Sequence, residues 1–212
     1  MSATEEPDDA TRPPVAEQAP PSQDDEQTRP PAENLRFDTP QDLYAAMPQV
    51  AELTQRRPQE GEDMITYLYR LRSSTTPEEA VTFTAFAAIP QRAIWWAHEC
   101  LRAMPEKFDA TDHEMMARIA RWVGDPTQDR RHRIMRDALW APRRSPVILL
   151  ALAVGWSGGS IAPNDPAPVA PYRAPRSINS AILSCLATAP LNRRSILLAR
   201  FIDMAESVLR VY

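Results

Sequence analysis

Four times in this chain a side chain able to cap a helix is followed at once by proline: Thr39-Pro40, Thr76-Pro77, Asp125-Pro126 and Ser145-Pro146. The cap oxygen accepts one of the N–H groups that a first helical turn leaves without a partner. Proline loses nothing at the next position, because the N–H it lacks would be unbonded there anyway. Four such starts predict an all-α body. Between them, apolar periodicity and stop signals place helices near 40–54, 61–72, 77–88, 90–104, 110–123, 126–140, 146–156, 178–188 and 191–210. No strand alternation of useful length and no internal repeat competes with this reading.

Two stretches carry the pattern most clearly. In the last helix Leu191, Leu198, Phe201, Ile202, Ala205, Val208, Leu209 and Tyr212 recur at three- and four-residue spacings, a stripe that closes a core. The helix over 110–123 opens after Asp109 and stops at Gly124, read as a left-handed cap, before Asp125-Pro126 starts the next helix. These two then form a tight hairpin. Cys100 and Cys185 each fall within apolar helical pattern, which fits buried thiols. The longest apolar run, Val147 to Val154, could be a buried strand by periodicity alone, but Ser145-Pro146 opens it as a helix. It is far shorter than the roughly 20 residues that cross a bilayer. No basic-then-apolar leader opens the chain, and the expected location is cytoplasmic.

Charge divides the 212 residues unevenly. Residues 1–34 hold nine acids against Arg12 and Arg29, a net of −7, which leaves +3 on the rest of a chain whose total is −4. Seven prolines and few aliphatic side chains prevent this segment from burying enough surface to offset the entropy of ordering. The expected organisation is a disordered acidic tail over 1–36 and a single helical domain over 37–212. Lys107 is the only lysine, so arginine abundance reflects a compositional habit and is weak evidence for nucleic-acid binding.

The segment Gly155-Trp-Ser-Gly-Gly-Ser-Ile-Ala-Pro163 stands apart. Gly155 to Gly159 fits Gly-x-Ser-x-Gly, with Ser157 in the place of a hydrolase nucleophile. That elbow needs a helix directly behind the serine, and Ser160 to Pro166 cannot make one. An α/β-hydrolase also places its acid and histidine after the serine, whereas no histidine follows His132. The alternative is a helix end followed by a strap over 157–177, in which Pro163, Pro166, Pro168, Pro171 and Pro175 hold the backbone extended. Such a strap would span on the order of 50 Å.

Two further clusters invite chemistry. His98, Glu99 and Cys100 suggest the His-x-Glu of zinc deaminases, but the spacing and the Pro-Cys-x-x-Cys partner are absent. No metal or cofactor is therefore expected. Trp95, Ala97 or His98, and Leu101 are assigned to the core, with Arg92, Glu99 and Arg102 in water. Arg130, Arg131, Arg133 and Arg136, followed by Arg143 and Arg144, form an arginine-rich stretch, but the first four read as distributed around much of their helix and diluted by Asp125, Asp129 and Asp137. They point to a solvated face, or one that receives the acidic tail, ahead of a nucleic-acid site.

Pro90-Gln-Arg-Ala-Ile-Trp-Trp-Ala97, Ala153-Val-Gly-Trp-Ser-Gly-Gly-Ser-Ile-Ala-Pro163 and the prolines that follow resemble a family of uncharacterised bacterial proteins over residues 76–210. Its members often lie near type VI secretion genes. The resemblance implies a neighbourhood and no catalytic residue. On physical grounds Trp95, Trp96 and Trp156 could form an aromatic floor for the prolines, with Gly155, Gly158 and Gly159 permitting close approach. The motif is then an internal latch; the alternative is that the prolines bind a partner. The expected function is a non-catalytic protein-interaction module, an adaptor or chaperone of the secretion apparatus. A secreted effector or enzyme, and a nucleic-acid binder, are the alternatives.

Overall fold

The computed structural model describes residues 34–162, 164 and 167–210, and among them are ten α-helices and no β-strand. In chain order they are α1 (Pro40–Ala46), α2 (Gln49–Leu53), α3 (Met64–Arg72), α4 (Glu79–Ala87), α5 (Pro90–Arg102), α6 (Ala110–Gly124), α7 (Gln128–Leu139), α8 (Pro146–Trp156), α9 (Arg173–Ala187) and α10 (Leu191–Leu209). The fold is all-α. The acidic segment 1–33, together with Pro163, Pro166 and Tyr212, lies outside the described residues.

Two of the four cap-proline starts act as read. Thr39 Oγ1 accepts from the N–H of Asp42 at 3.2 Å, and Ser145 Oγ from that of Ile148 at 3.2 Å. At Thr76-Pro77 the chain first makes a tight turn, with Glu79 N–H donating to the Thr76 carbonyl at 3.1 Å, and α4 opens at Glu79. At Asp125-Pro126 the cap moves to Thr127, because Asp125 still closes α6 and pairs with Arg130. Gly124 is the last residue of α6 and not a left-handed cap; positive φ occurs among the described glycines at Gly61 and Gly159.

Prolines account for two other departures. The helix predicted over 40–54 is broken at Met47-Pro48, since a mid-helix proline removes one hydrogen bond and crowds the preceding turn. Conversely, α9 starts at Arg173, five residues before its predicted start. Pro175 lies in its first turn, where a missing N–H costs nothing, so residues 173–177 are helix and not strap. Asn34 to Arg36, assigned to the tail, belong to the body. Arg36 N–H donates to the Ala87 carbonyl at 2.8 Å, Ile89 N–H to that of Asn34 at 2.9 Å, and Leu35 is buried.

The most apolar helices occupy the centre. Every residue of α4 is buried, and in α8 only Pro146, Leu149 and Trp156 are not, so neither has a polar face to offer water. Thus Val147–Val154 is a core helix, packed against α5, α6, α7 and α9. Cys100 and Cys185 are buried thiols; burial pushes Cys185 up to about 11, and its Sγ lies 3.6 Å from Met104 Sδ. The α10 stripe is buried from Leu197 to Leu209, whereas Leu191 is exposed.

Trp96 is fully buried on α5, and its Nε1–H donates to the Phe201 carbonyl of α10 at 3.0 Å. Trp96→Phe should therefore lower stability by about 1–2 kcal/mol, since it deletes that bond and leaves a small void. A change in urea midpoint below the experimental scatter would show that the indole N–H contributes nothing.

An ion pair fixes the turn before α3. Glu62 accepts from Arg70 Nε at 2.7 Å and Nη2 at 2.6 Å, and from the N–H of Gln59 at 2.9 Å. The Arg70 hydrogen bonds hold the Glu62 carboxyl below its ordinary value, and the Thr66 N–H does the same for Asp63, the cap of α3. Both folded values are depressed, so the stability they confer is full above the unfolded carboxylate range and is lost as pH falls through the folded values. Glu62→Gln should flatten part of the acid-side decline in urea midpoint; an unchanged profile would remove Glu62 as a contributor.

Candidate functional site

Several residues of the Gly155–Ser160 segment have structural duties. Gly155 lies where α8 meets α7: a Cβ there would come within 2.7 Å of Met135 Cβ and Cγ. Ser157 Oγ donates to the Val154 carbonyl at 2.7 Å and so caps the end of its own helix. With no strand before it and no helix directly behind it, Ser157 lacks the setting of a hydrolase nucleophile. Gly159 turns the chain with φ +64°, and Gly158 has open space around it.

The proline segment then doubles back. Val169 N–H donates to the Gly159 carbonyl at 3.3 Å, and Ser160 pairs antiparallel with Pro168. The expected reach across one face of the domain is thus replaced by a closed loop. Its described prolines, Pro168 and Pro171, are exposed. Of the proposed floor, Trp96 is interior and Trp95 is 40 % exposed, reversing the assignment of Trp95 to the core. Trp156 is half-buried, with the Arg173 guanidinium 6.0 Å from its ring centre.

The side chain that ties this loop down is one that sequence reading placed in solvent. Arg131 is only 3 % exposed. Its Nη1 donates to the Gly155 carbonyl at 2.5 Å, its Nη2 to the Ser160 carbonyl at 2.6 Å, and its Nε to Gln128 Oε1 at 2.8 Å. Nη2 also meets His132 Nε2 at 2.8 Å; a guanidinium has no acceptor, so that nitrogen accepts. No carboxylate lies within ion-pair distance of Arg131 among the described residues. Instead the cation meets the negative end of α8, whose last turn contains no basic residue of its own. Burial pulls the guanidinium below its ordinary value, though never far enough to discharge it. The available clue was spacing: Arg131, Ile134, Met135 and Ala138 occupy the buried face of α7.

The opposite face of α7 carries the other arginines. Arg130, Arg133 and Arg136 recur every third residue; with Arg131 on the buried face the four are distributed around the helix as expected, but three of them gather on one side. Together with Arg118 and Arg121 of α6 they line one groove of about 400 Å³, with Asp137 among them and Ile134 at its floor. Arg118 donates to Asp137 Oδ2 at 2.5 Å, Arg136 to Oδ1 at 3.3 Å, Arg133 pairs with Asp129 at 2.9 Å, and Arg130 with Asp125. The Arg121 guanidinium has neither an ion pair nor a hydrogen bond among the described residues. Four residues beyond Arg136, in the same row, Trp140 is 85 % exposed, with Leu139 beside it.

Arg143 and Arg144 are used elsewhere. Arg143 pairs with Asp109, and Arg144 donates to the carbonyls of Ala138, Leu139 and Ala141 at the end of α7. His98 bonds its neighbour Glu99 at 3.0 Å, and among the described residues no group of three or more potential ligands could hold a metal ion. No described helix is long and apolar enough to cross a membrane.

Fold and surface together define a helical domain with an arginine-latched loop and an arginine-lined groove. The chain belongs to a family of unknown function, DUF6931, whose model matches residues 67–209 and so takes in both features. Neither a curated protein nor a solved structure matches it.

Proposed function

We propose that the chain is a non-catalytic, cytoplasmic protein-interaction module, serving as an adaptor or chaperone of a type VI secretion apparatus. The observation that supports it best is Trp140, 85 % exposed at the end of α7 in line with Arg130, Arg133 and Arg136. A folded chain gains nothing by holding an indole in water, and tryptophan with arginine is the usual composition of an interface hot spot. The candidate nucleophile Ser157 is committed to its helix cap, which favours binding over catalysis. The secretion assignment follows from the resemblance carried by Arg92-Ala-Ile-Trp95-Trp96-Ala97 and Trp156-Ser-Gly-Gly-Ser160. The test is affinity purification of the tagged full chain at native level, beside Trp140→Ala. Secretion-apparatus components should co-purify with the wild type and be depleted from the folded variant. Specific recovery of nothing, or only of proteins unrelated to secretion, would refute the assignment.

A further inference from the structure

We infer that the groove between α6 and α7 is a docking site for an acidic segment of a partner protein, about five residues long when extended and bearing an apolar side chain that packs on Trp140. This rests on the interaction-module reading and specifies the partner's chemistry.

The geometry fits such an occupant. Arg118 and Arg121 belong to one helix, and Arg130, Arg133 and Arg136 to the next, so both helices contribute guanidinium groups to the groove. From Arg130 to Trp140 the row runs ten residues, about 15 Å at the helical rise of roughly 1.5 Å per residue. Carboxylates on a peptide can be met singly and bidentately by arginine forks at this spacing. Arg121 is already free to accept one. Arg130 and Arg133 are held by exposed Asp125 and Asp129, in pairs whose loss costs little and which a ligand carboxylate can replace.

The same aspartates argue against nucleic acid as the occupant. Duplex DNA presents one charge per roughly 1.7 Å of axis, and its affinity grows with the number of phosphates that cations neutralise. Here Asp125, Asp129 and Asp137 are interleaved with the arginines, and Asp137 lines the groove itself. A continuous phosphate backbone would face these carboxylates, whereas a peptide with separated acidic residues can avoid them. Trp140 supplies the apolar anchor at one end, and the five arginines that line the groove leave charge to set specificity.

The test uses the full chain and three labelled probes followed by fluorescence anisotropy: a glutamate-rich 15-residue peptide containing one leucine, a serine-glycine peptide of equal length, and a 15-base-pair duplex. The acidic peptide should bind, the neutral peptide should not, and affinity should fall about tenfold or more on raising salt from 0.05 to 0.3 M. Arg121→Glu with Arg133→Glu should abolish binding. Both side chains are exposed, so the fold should survive, as circular dichroism would check. Arg121→Lys with Arg133→Lys should retain weakened binding, which a structural role for these residues would not predict. No binding of the acidic peptide, binding that charge reversal leaves intact, or tighter binding of the duplex at the same arginines would each overturn the inference. If the partner proteins are lost from Trp140→Ala yet retained by the charge-reversed variant, the module stands and the acidic occupant falls. If no partner is captured from the wild type, the module itself fails.

Discussion

Arg131→Ala should lower the unfolding free energy by about 2–3 kcal/mol, the range for losing charge-assisted hydrogen bonds and leaving buried carbonyls without donors. The guanidinium joins three places that the chain otherwise leaves separate: Gln128 on its own helix, the Gly155 carbonyl at the end of α8, and the Ser160 carbonyl in the returning loop. Burying the cation is costly, and charge-assisted bonds to carbonyls at a helix C-terminus offset that cost. Alanine removes the cation and leaves both carbonyls without the donors it supplied. Arg131→Lys keeps the charge but cannot fork to two carbonyls, so it should fall between alanine and wild type. Urea denaturation measures the loss, and hydrogen exchange at the Val169 amide, bonded to Gly159, reports whether the loop opens locally. A destabilisation under about 1 kcal/mol would place Arg131 with ordinary surface pairs and leave the loop's closure to its backbone.

Arginine is used repeatedly in this way. Arg57 donates to the carbonyls of Ala51 and Thr54 at the end of α2, Arg144 serves the end of α7, and Arg194 donates to those of Ala187 and Ala189 at the end of α9. A planar fork can reach two carbonyls at once, which an ammonium does with less geometric definition. These duties separate structural arginines from the five that line the groove. Composition alone could not make that division, because it depends on which helix faces which.

The helical class was legible because caps and prolines are local. Thr39 and Ser145 act within three residues of themselves, and tertiary packing did not override them. Boundaries failed where proline has two local meanings: Pro48 breaks a helix, and Pro175 sits harmlessly inside the first turn of one. The groove was half legible, since the spacing of Arg130, Arg133 and Arg136 already puts them on one face. Its second wall, Arg118 and Arg121, depends on how α6 and α7 are rotated about their axes. Arg131 was the hardest residue to place. One position from Arg130 on a helix means roughly a hundred degrees of rotation, and only the partners of α8 reveal that this rotation carries a charge into the core.

Gly155 provides the second large effect. Gly155→Ala adds a single methyl group, which on a free helix would favour the helical state by up to about 1 kcal/mol. In this fold the sign reverses. The new Cβ would lie within 2.7 Å of Met135 Cβ and Cγ and nearer still to Sδ, and the Cβ is fixed to backbone. Moving the methionine side chain can clear Sδ and Cγ, but clearing Cβ requires α7 and α8 to separate. The substitution should therefore cost about 3 kcal/mol or more, the upper end for overpacking. It should also weaken the Arg131 bond to the Gly155 carbonyl, because that bond crosses the same helix pair. Partial rescue follows from the same distances. Met135→Ala in the Gly155→Ala background removes Sδ and Cγ but not Cβ, so it should recover only part of the loss, after allowance for its own cavity. Met135→Gly removes every clashing atom and should recover more of the steric component, despite glycine's lower helix propensity. Urea midpoints of the double-mutant set measure both. Equal stability of Gly155→Ala and wild type would mean that the helices separate without cost, and Gly155 would then lose its role as the contact that sets the spacing of α7 and α8.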